Sequence, residues 1–235
     1  MSTLDYQCFT DGAQLADALA DAVAGNLAQT IAARGHALLA VSGGKTPQRF
    51  FHALSQRSLE WNKVVVTLVD ERWVPADDAR SNEAFVRANL LQGRAAAARF
   101  SPLYQAGIAT PEEGAHAVSA RIAMLDLPFD ALVLGMGEDG HTASFFPGGD
   151  KLAEAIDPKT DAIVMPMRAP GAGEPRITLT LPVILDSRAI YLHIEGERKR
   201  EVLEAARYIA ATNRAYPISA VLGNARAPVN VYWCP

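Results

Sequence analysis

Short, unbroken apolar runs, each stopped by glycine or by charged residues, are the feature of this sequence that most constrains its fold. Residues 37–41 read Ala-Leu-Leu-Ala-Val, residues 64–69 read Val-Val-Val-Thr-Leu-Val and residues 131–134 read Ala-Leu-Val-Leu. Runs of this kind are typical of strands buried on both faces of a parallel sheet. Later runs predict further strands at 162–164, 177–181, 189–194 and 229–233.

Helical segments alternate with these strands. From Asp11 to Arg34 apolar residues recur every four positions, which predicts a long amphipathic helix with Asp11 at its N-terminus and Gly35 just past its end. Further helices are predicted to begin near Pro47 and to span 81–91, 111–125 and 197–211. The alternation predicts an α/β fold with a largely parallel, Rossmann-like sheet flanked by helices.

Length and composition favour a single domain, 1–235. The chain has 235 residues, of which 49% are hydrophobic, so it can bury a large core. Its formal net charge of −4 argues against nucleic acid as a partner. Nothing in the sequence indicates an obligate protein partner.

A cytoplasmic location is expected. Cys8 and Cys234 are the only cysteines, too few for a disulfide framework and too far apart in sequence for a structural zinc site. The start of the chain lacks the features of a secretory signal, and no run of about 18 apolar residues follows that could cross a membrane.

Ligands of open α/β sheets bind beyond the carboxyl ends of the strands, and three polar clusters lie there. The first is Ser-Gly-Gly-Lys-Thr-Pro at 42–47, whose backbone amides, hydroxyls and following helix N-terminus suit an anionic oxygen group. It is neither a Walker A loop nor a GxGxxG fingerprint, and such a turn is often only structural. Alone, it does not identify a phosphate site.

The second cluster is Asp-Glu-Arg-Trp at 70–73, which we expect to open a polar loop after a strand. An exposed ion pair is the simpler interpretation. Its position favours function instead, because a strand-end Arg72 can clamp a carboxylate or phosphate, and Asp70 beside it would stay ionised. Asn82 follows and could add a polar contact.

The third cluster is the glycine-rich segment 135–144, which places His141 on an accessible loop close to Asp139. Histidine is the usual proton carrier near neutral pH, so His141 is the candidate base. A metal site built from Asp70, Asp139 and His141 is the alternative, but neither an HExxH helix nor Cys/His spacing supports one. We therefore expect no metal.

The clusters together resemble the 6-phosphogluconolactonases of the glucosamine-6-phosphate isomerase/6-phosphogluconolactonase family. Ser-Gly-Gly-x-Thr-Pro, Asp-Glu-Arg, Ser-Asn and Gly-Met-Gly-Glu-Asp-Gly-His-Thr-Ala-Ser occur in that family's order and spacing. The likeness continues at 147–148, 176–179, 196–199 and 217–222.

This resemblance implies hydrolysis of a sugar-phosphate lactone, 6-phospho-D-glucono-1,5-lactone, to 6-phosphogluconate in the oxidative pentose phosphate pathway, without a metal or organic cofactor. It implies that His141 activates water and that Asp139 and Asp70 orient polar groups. Arg72 could serve either the oxyanion or the phosphate. The residues implied for substrate and phosphate binding are Ser42, Gly43, Gly44, Thr46, Asn82, Arg176 and Lys199.

Several alternatives remain open at this point. Lys199 lies between Arg198 and Arg200, so all three could simply face water. A serine nucleophile at Ser42 or Ser144 is disfavoured because no GxSxG elbow is present.

Two other functions compete. Glucosamine-6-phosphate deaminases carry a Glu five positions after the histidine, where this chain has Phe146. A non-catalytic sugar-phosphate-binding regulator would be expected to add a helix-turn-helix, and the sequence shows no segment for one.

Overall fold

The structure is a computed structural model that describes residues 4–208 and 215–235. Within these ranges the chain forms ten strands, eight α-helices and two short 3₁₀ helices. The strands are β1 (Leu4–Cys8), β2 (Ala37–Val41), β3 (Val64–Leu68), β4 (Asp70–Arg72), β5 (Arg99–Phe100), β6 (Ala131–Gly135), β7 (Val164–Met167), β8 (Arg176–Leu179), β9 (Ile190–Glu195) and β10 (Val229–Cys234). The helices are α1 (Gly12–Arg34), α2 (Gln48–Ser55), α3 (Asn82–Asn89), α4 (Pro111–Ala123), α5 (Leu152–Ala155), α6 (Leu181–Leu185), α7 (Glu197–Arg207) and α8 (Ile218–Asn224).

The main sheet of the described chain has seven strands in the order β1-β10-β9-β6-β2-β3-β5. Its strand pairs run parallel, for example Leu39 with Val66 of β3 and Leu39 with Ala131 of β6. All five residues of β2 are buried, as expected for a strand covered on both faces. The predicted α/β class with a largely parallel sheet is confirmed.

A second, three-stranded antiparallel sheet has the order β4-β8-β7. The prediction of a loop at 70–72 is therefore wrong, because these residues form β4 and pair with β8. The partner strand lies more than a hundred residues further along the chain, and no local pattern in a polar triplet indicates it. Val69 connects the two sheets, because its amide donates to the Val41 carbonyl at 3.0 Å and its carbonyl accepts from the Leu179 amide at 2.8 Å.

Other boundaries differ from the predictions by a few residues. The strand predicted at 162–164 is β7, which begins at Val164. The helix predicted to run to Ala211 is α7, which is described to Arg207, and Ala211 lies outside the described residues. β1 was not predicted, because it is an edge strand whose side chains are mostly exposed or half-buried.

Helix α1 packs against α2 and against the strands β2, β6 and β10. Its stripe of Leu15, Leu19, Val23 and Leu27 is fully buried. The Asp11 side chain accepts hydrogen bonds from the backbone of Ala13 and Gln14, each 2.9 Å long, and caps the first turn. Gly35 has a φ of +83° and ends the helix as predicted.

Buried side chains from both sheets belong to one continuous hydrophobic core, which holds the small sheet against the carboxyl end of the large one. Cys8 is exposed and Cys234 buried, and in the described chain both are free thiols. None of the described helices combines the length and apolar character needed to cross a bilayer.

Candidate active site

A cleft of about 290 Å³ opens at the carboxyl ends of β2, β6 and β9, facing the small sheet. All of the site residues predicted from the sequence line it except Asp139, which lies behind His141. The predicted residues that it brings together are Ser42, Gly43, Gly44, Thr46, Asp70, Arg72, Asn82, His141, Arg176 and Lys199.

The segment 42–47 joins β2 to α2 and forms one wall of the cleft. Ser42 fastens it to the neighbouring strand, because its Oγ accepts a hydrogen bond of 3.1 Å from the Gly135 amide. Gly43 is pressed against Asn82, so closely that a Cβ at Gly43 would lie 2.0 Å from the Asn82 Oδ1. Only glycine fits there. Gly44 has a φ of +92°, a conformation that favours glycine.

Strand alternation sorts the residues of β4 between the cleft and the core. Asp70 and Arg72 lie on the same side of the strand and both line the cleft, whereas Glu71 is fully buried away from it. The interpretation of this triplet as an exposed ion pair is therefore wrong. Antiparallel pairing puts Arg72 directly opposite Arg176, so two guanidinium groups approach each other at the cleft.

Glu71 holds the start of α3. Its carboxylate accepts hydrogen bonds from the backbone of Arg72, Asn82 and Glu83 and from the Ser81 hydroxyl, at 2.7 to 3.0 Å. Burial raises the pKa of Glu71 to about 7, although these donors oppose the rise. Through these bonds Glu71 fixes the helix end that carries Asn82, whose amide donates to the Asp70 carbonyl.

Arg176 is buried and its guanidinium is held on several sides. Its Nε and Nη2 donate to the Ala172 carbonyl at 3.2 and 2.6 Å, and its Nη1 lies 3.7 Å from the Asp70 carboxylate. Asp70 also accepts a hydrogen bond of 2.6 Å from the Ser144 hydroxyl. Burial lowers the pKa of Arg176, and the charge of Asp70 counters that effect. The Ser144 hydroxyl is thus engaged in a hydrogen bond with Asp70.

A tight turn after β6 presents His141. The Gly137 amide donates to the His141 carbonyl at 2.9 Å, and the Gly140 amide donates to the Gly137 carbonyl at 3.0 Å. The Asp139 Oδ1 lies 2.6 Å from the His141 Nδ1. Since a carboxylate only accepts, Nδ1 carries a proton, and in the neutral imidazole Nε2 has the lone pair.

The electrostatics of this pair favour an ionised Asp139. Partial burial opposes ionisation, but the hydrogen bond and charge of His141 outweigh it and lower the pKa of the Asp139 carboxyl. An ionised carboxylate on Nδ1 both orients the imidazole and stabilises its protonated form. The pair can therefore take a proton from a group bound at Nε2.

Phe146 packs on the other side of this imidazole. Its ring stacks on His141 with the ring centres 4.4 Å apart, and the Arg176 guanidinium lies 5.3 Å above the centre of the same phenyl ring. In deaminases the corresponding position carries the acidic partner, as noted above. Here it supplies a phenyl ring that packs on the His141 imidazole and the Arg176 guanidinium and carries no titratable group.

Lys199, near the start of α7, is half-buried and lines the cleft, whereas its neighbours Arg198 and Arg200 are exposed. The structure therefore separates Lys199 from the solvated face of the helix. Burial lowers the pKa of Lys199, and the carboxylates of Glu138 and Glu195 counter that effect. The ammonium group thus adds positive charge to the side of the cleft formed by α7.

Among the other residues that line the cleft, Phe146 and His193 have side-chain contacts that sequence reasoning did not predict. His193 lies in an apolar run, where a histidine is ordinarily a core residue. The sequence did contain one indication, because His193 lies two residues before Glu195, near the end of a predicted strand. Residues two apart share a face of a strand, so these two side chains could be expected to lie together.

The alternative of a metal site finds no ligand set in the cleft. Among residues 4–208 and 215–235, no three His, Cys, Asp or Glu side chains are grouped so as to hold a metal ion. Asp70 contacts Ser144 and Arg176, whereas Asp139 contacts His141. Asp70 is therefore engaged in one set of contacts, and Asp139 and His141 in another.

The sequence of this chain is similar to those of known proteins. Residues 10–233 match the model of the family described as glucosamine-6-phosphate isomerases/6-phosphogluconolactonase. A 6-phosphogluconolactonase of Rhizobium meliloti is 53% identical over 97% of this chain and 97% of its own length. One of Mesorhizobium japonicum is 52% identical over 100% of this chain and 97% of its own.

A solved structure agrees. The crystal structure of a 6-phosphogluconolactonase from Shewanella baltica OS155 has a TM-score of 0.95 and 41% sequence identity. The match covers 99% of this chain and 98% of that one. The fold and the sequence thus point to the same family.

The close approach at Gly137 yields a prediction. Replacing Gly137 with Ala should displace the His141 ring or the Asp139 carboxylate, because the added Cβ would lie 2.3 Å from His141 Nδ1 and 2.6 Å from Asp139 Oδ1. A crystal structure of the variant checks this, and any reaction that depends on this imidazole should slow.

Gly25→Ala is the matched control. Gly25 lies inside α1, where a Cβ would meet nothing within 4 Å, so that variant should gain up to about 1 kcal/mol of stability from helix propensity. An undisturbed His141–Asp139 pair in Gly137→Ala would contradict our description of the turn.

Proposed function

Because this chain belongs to the glucosamine-6-phosphate isomerase/6-phosphogluconolactonase family, we propose that it hydrolyses 6-phospho-D-glucono-1,5-lactone with a water molecule activated by His141. The reaction follows from relatives named 6-phosphogluconolactonase that are 40 to 53% identical over nearly the whole chain. The chain is thus a hydrolase of the pentose phosphate pathway that yields 6-phosphogluconate. The roles of individual residues are our assignment.

The observation that carries the mechanism is the 2.6 Å contact between His141 Nδ1 and Asp139. It leaves Nε2 free to accept a proton as water attacks the lactone carbonyl. The attack forms the new carbon–oxygen bond and places negative charge on the former carbonyl oxygen. When the bond to the ring oxygen breaks, that oxygen takes the proton back from His141, so one group serves as base and then as acid.

Positive charge must lie near the developing oxyanion. We assign this role to Arg72, which lines the cleft and shares a face of β4 with Asp70. Its Nη1 donates to the Arg80 carbonyl, which restrains the guanidinium. Asp70 contacts Arg176 and Ser144 and places a carboxyl group among the arginines of the cleft.

The phosphate of the substrate is assigned to segment 42–47 and to two cations of the cleft. The amides of Gly43 and Gly44 and the hydroxyls of Ser42 and Thr46 supply donors. Lys199 and Arg176 supply charge, and Asn82 holds the loop against β4. Because phosphate is not altered in the reaction, these residues contribute binding rather than chemistry.

The deaminase alternative is disfavoured by one side chain. Opening a glucosamine ring in that family uses a Glu beside the histidine, and in this cleft Phe146 stacks on the imidazole at that position. A phenyl ring cannot transfer a proton. The same stacking is compatible with the lactonase chemistry, because the proton transfers of that reaction use His141 and need no acid at position 146.

We also infer a single domain and a cytoplasmic location. The two sheets share one hydrophobic core, which supports folding as one unit. Two free thiols suit a reducing compartment. The negative net charge gives no support for binding nucleic acid, and no obligate protein partner is proposed.

The first test is a coupled assay. Lactone generated by glucose-6-phosphate and its dehydrogenase should disappear faster with the protein than by spontaneous hydrolysis. His141→Ala should fold normally and lose about a hundredfold or more of this rate, because base catalysis is removed. Release of ammonia from glucosamine-6-phosphate, with no effect on the lactone, would contradict the proposal and favour the deaminase.

A second test separates direct base catalysis from metal hydroxide chemistry. With His141 as the base, treatment with EDTA should leave the lactonase rate unchanged, and elemental analysis of the purified protein should find no stoichiometric metal. Inactivation by EDTA that a divalent ion reverses, together with loss of the ion in His141→Ala, would refute the mechanism while leaving the lactonase assignment intact.

A further inference from the structure

His193 is a cleft residue to which the mechanism above gives no role. It lies on β9, paired with Gly135 of β6 on one side and Tyr232 of β10 on the other. Only 2% of it is exposed, yet it forms part of the lining of the cleft. Its ring is held edge-on against Phe50 of α2, with the ring centres 6.3 Å apart.

The two ring nitrogens of His193 have different surroundings. Nε2 lies 3.1 Å from the Glu195 carboxylate, which can only accept, so Nε2 carries a proton. Nδ1 is buried, and no group in the described ranges forms a hydrogen bond with it. A buried polar atom without a partner is destabilising, so such an atom on a residue that lines a cleft points to a ligand.

Its neighbours identify the chemistry of that ligand. Gly135 is paired with His193, and its amide donates to the Ser42 hydroxyl at the start of the glycine loop, residues 42–47. Phe50 belongs to the helix that this loop begins. His193 therefore lies beneath the loop assigned to the phosphate.

Charged groups surround this position. Glu195 lies 3.6 Å from Arg49 of α2, and its charge also acts on Lys199 of α7. The His193 hydrogen bond is the main reason that the pKa of Glu195 is lowered, so its carboxylate is ionised. The charge of Glu138 also acts on Lys199. An imidazolium at His193 would thus be balanced on its Nε2 side by Glu195.

We propose that His193 is a substrate-binding residue whose Nδ1–H donates a hydrogen bond to the phosphate of the bound lactone. This inference rests on the proposed function, which supplies the phosphate. A phosphate dianion only accepts, so the imidazole binds it in the protonated form, between the phosphate and Glu195. His193 completes the donor set of the glycine loop from below, while Lys199 acts from the side.

A purely structural role is the alternative, in which His193 only holds Glu195 and packs on Phe50. Two substitutions separate the roles, because an Asn amide occupies the position of Nδ1 and a Gln amide reaches that of Nε2. His193→Asn keeps a donor toward the cleft, whereas His193→Gln keeps a donor toward Glu195. His193→Phe keeps the ring and removes both.

The experiment measures KM and kcat for the phosphorylated lactone and for unphosphorylated glucono-1,5-lactone, and the Kd of 6-phosphogluconate by calorimetry. His193→Gln and His193→Phe should raise KM for the phosphorylated lactone and the Kd about tenfold, with a small change in kcat, as loss of one charge-assisted hydrogen bond predicts. Their preference for the phosphorylated lactone should fall by a similar factor.

His193→Asn should recover most of the affinity, and the matched control His116→Gln, at an exposed position on α4, should behave as wild type. Affinity retained in His193→Gln and lost in His193→Asn would overturn the proposal in favour of the structural role. Wild-type affinity in all three His193 variants would overturn it as well.

A measurement on the wild-type protein avoids any dependence on variant folding. The ¹⁵N resonance of His193 Nδ1 should shift on titration with 6-phosphogluconate or inorganic phosphate and should not shift with gluconate. An unmoved resonance at saturating 6-phosphogluconate would overturn the inference. Failure of lactone hydrolysis by a protein that shows the shift would instead refute the proposed function alone.

Discussion

The parallel register of β2, β6 and β9 brings the ends of three strands to one edge of the sheet, and the cleft depends on this constraint. Parallel neighbours must run in the same direction, so the glycine loop, the His141 turn and His193 arrive together although they are distant in sequence. The small sheet closes the opposite side, where β4 and β8 pair Arg72 with Arg176. Burial of both sheets in one core fixes the two walls relative to each other.

Close packing then sets the positions of the polar groups. Gly43 and Gly137 are needed because Asn82 in one case, and His141 with Asp139 in the other, occupy the space that a side chain would fill. The carboxylate of the buried Glu71 accepts hydrogen bonds from the N-terminus of α3, and Glu71 does not line the cleft. The His141 imidazole, the Asp139 carboxylate and the cations of the cleft are thus held in place by the protein, as the proposed electrostatic catalysis requires.

The sequence was most informative where a local pattern determines the structure. The uninterrupted run 37–41 is β2 at its predicted limits, and the glycine-rich segment does place His141 beside Asp139. It was least informative where a residue's role depends on a distant partner. Strand β4 forms because it pairs with β8. Because the sequence predicts a loop at 70–72, it gives no indication that strand alternation buries Glu71 in the core. Phe146 was noted only for the Glu it replaces, and its stacking on His141 requires the folded loop.

The central claim is that the cleft binds the reacting end of the substrate at His141 and its phosphate at the glycine loop. A crystal structure of the protein with 6-phosphogluconate tests this most directly. We predict the carboxylate of the product within hydrogen-bond distance of His141 Nε2, and its phosphate on the amides of Gly43 and Gly44 with Lys199 alongside. A product bound in the reverse orientation, with its phosphate at His141, would contradict the account.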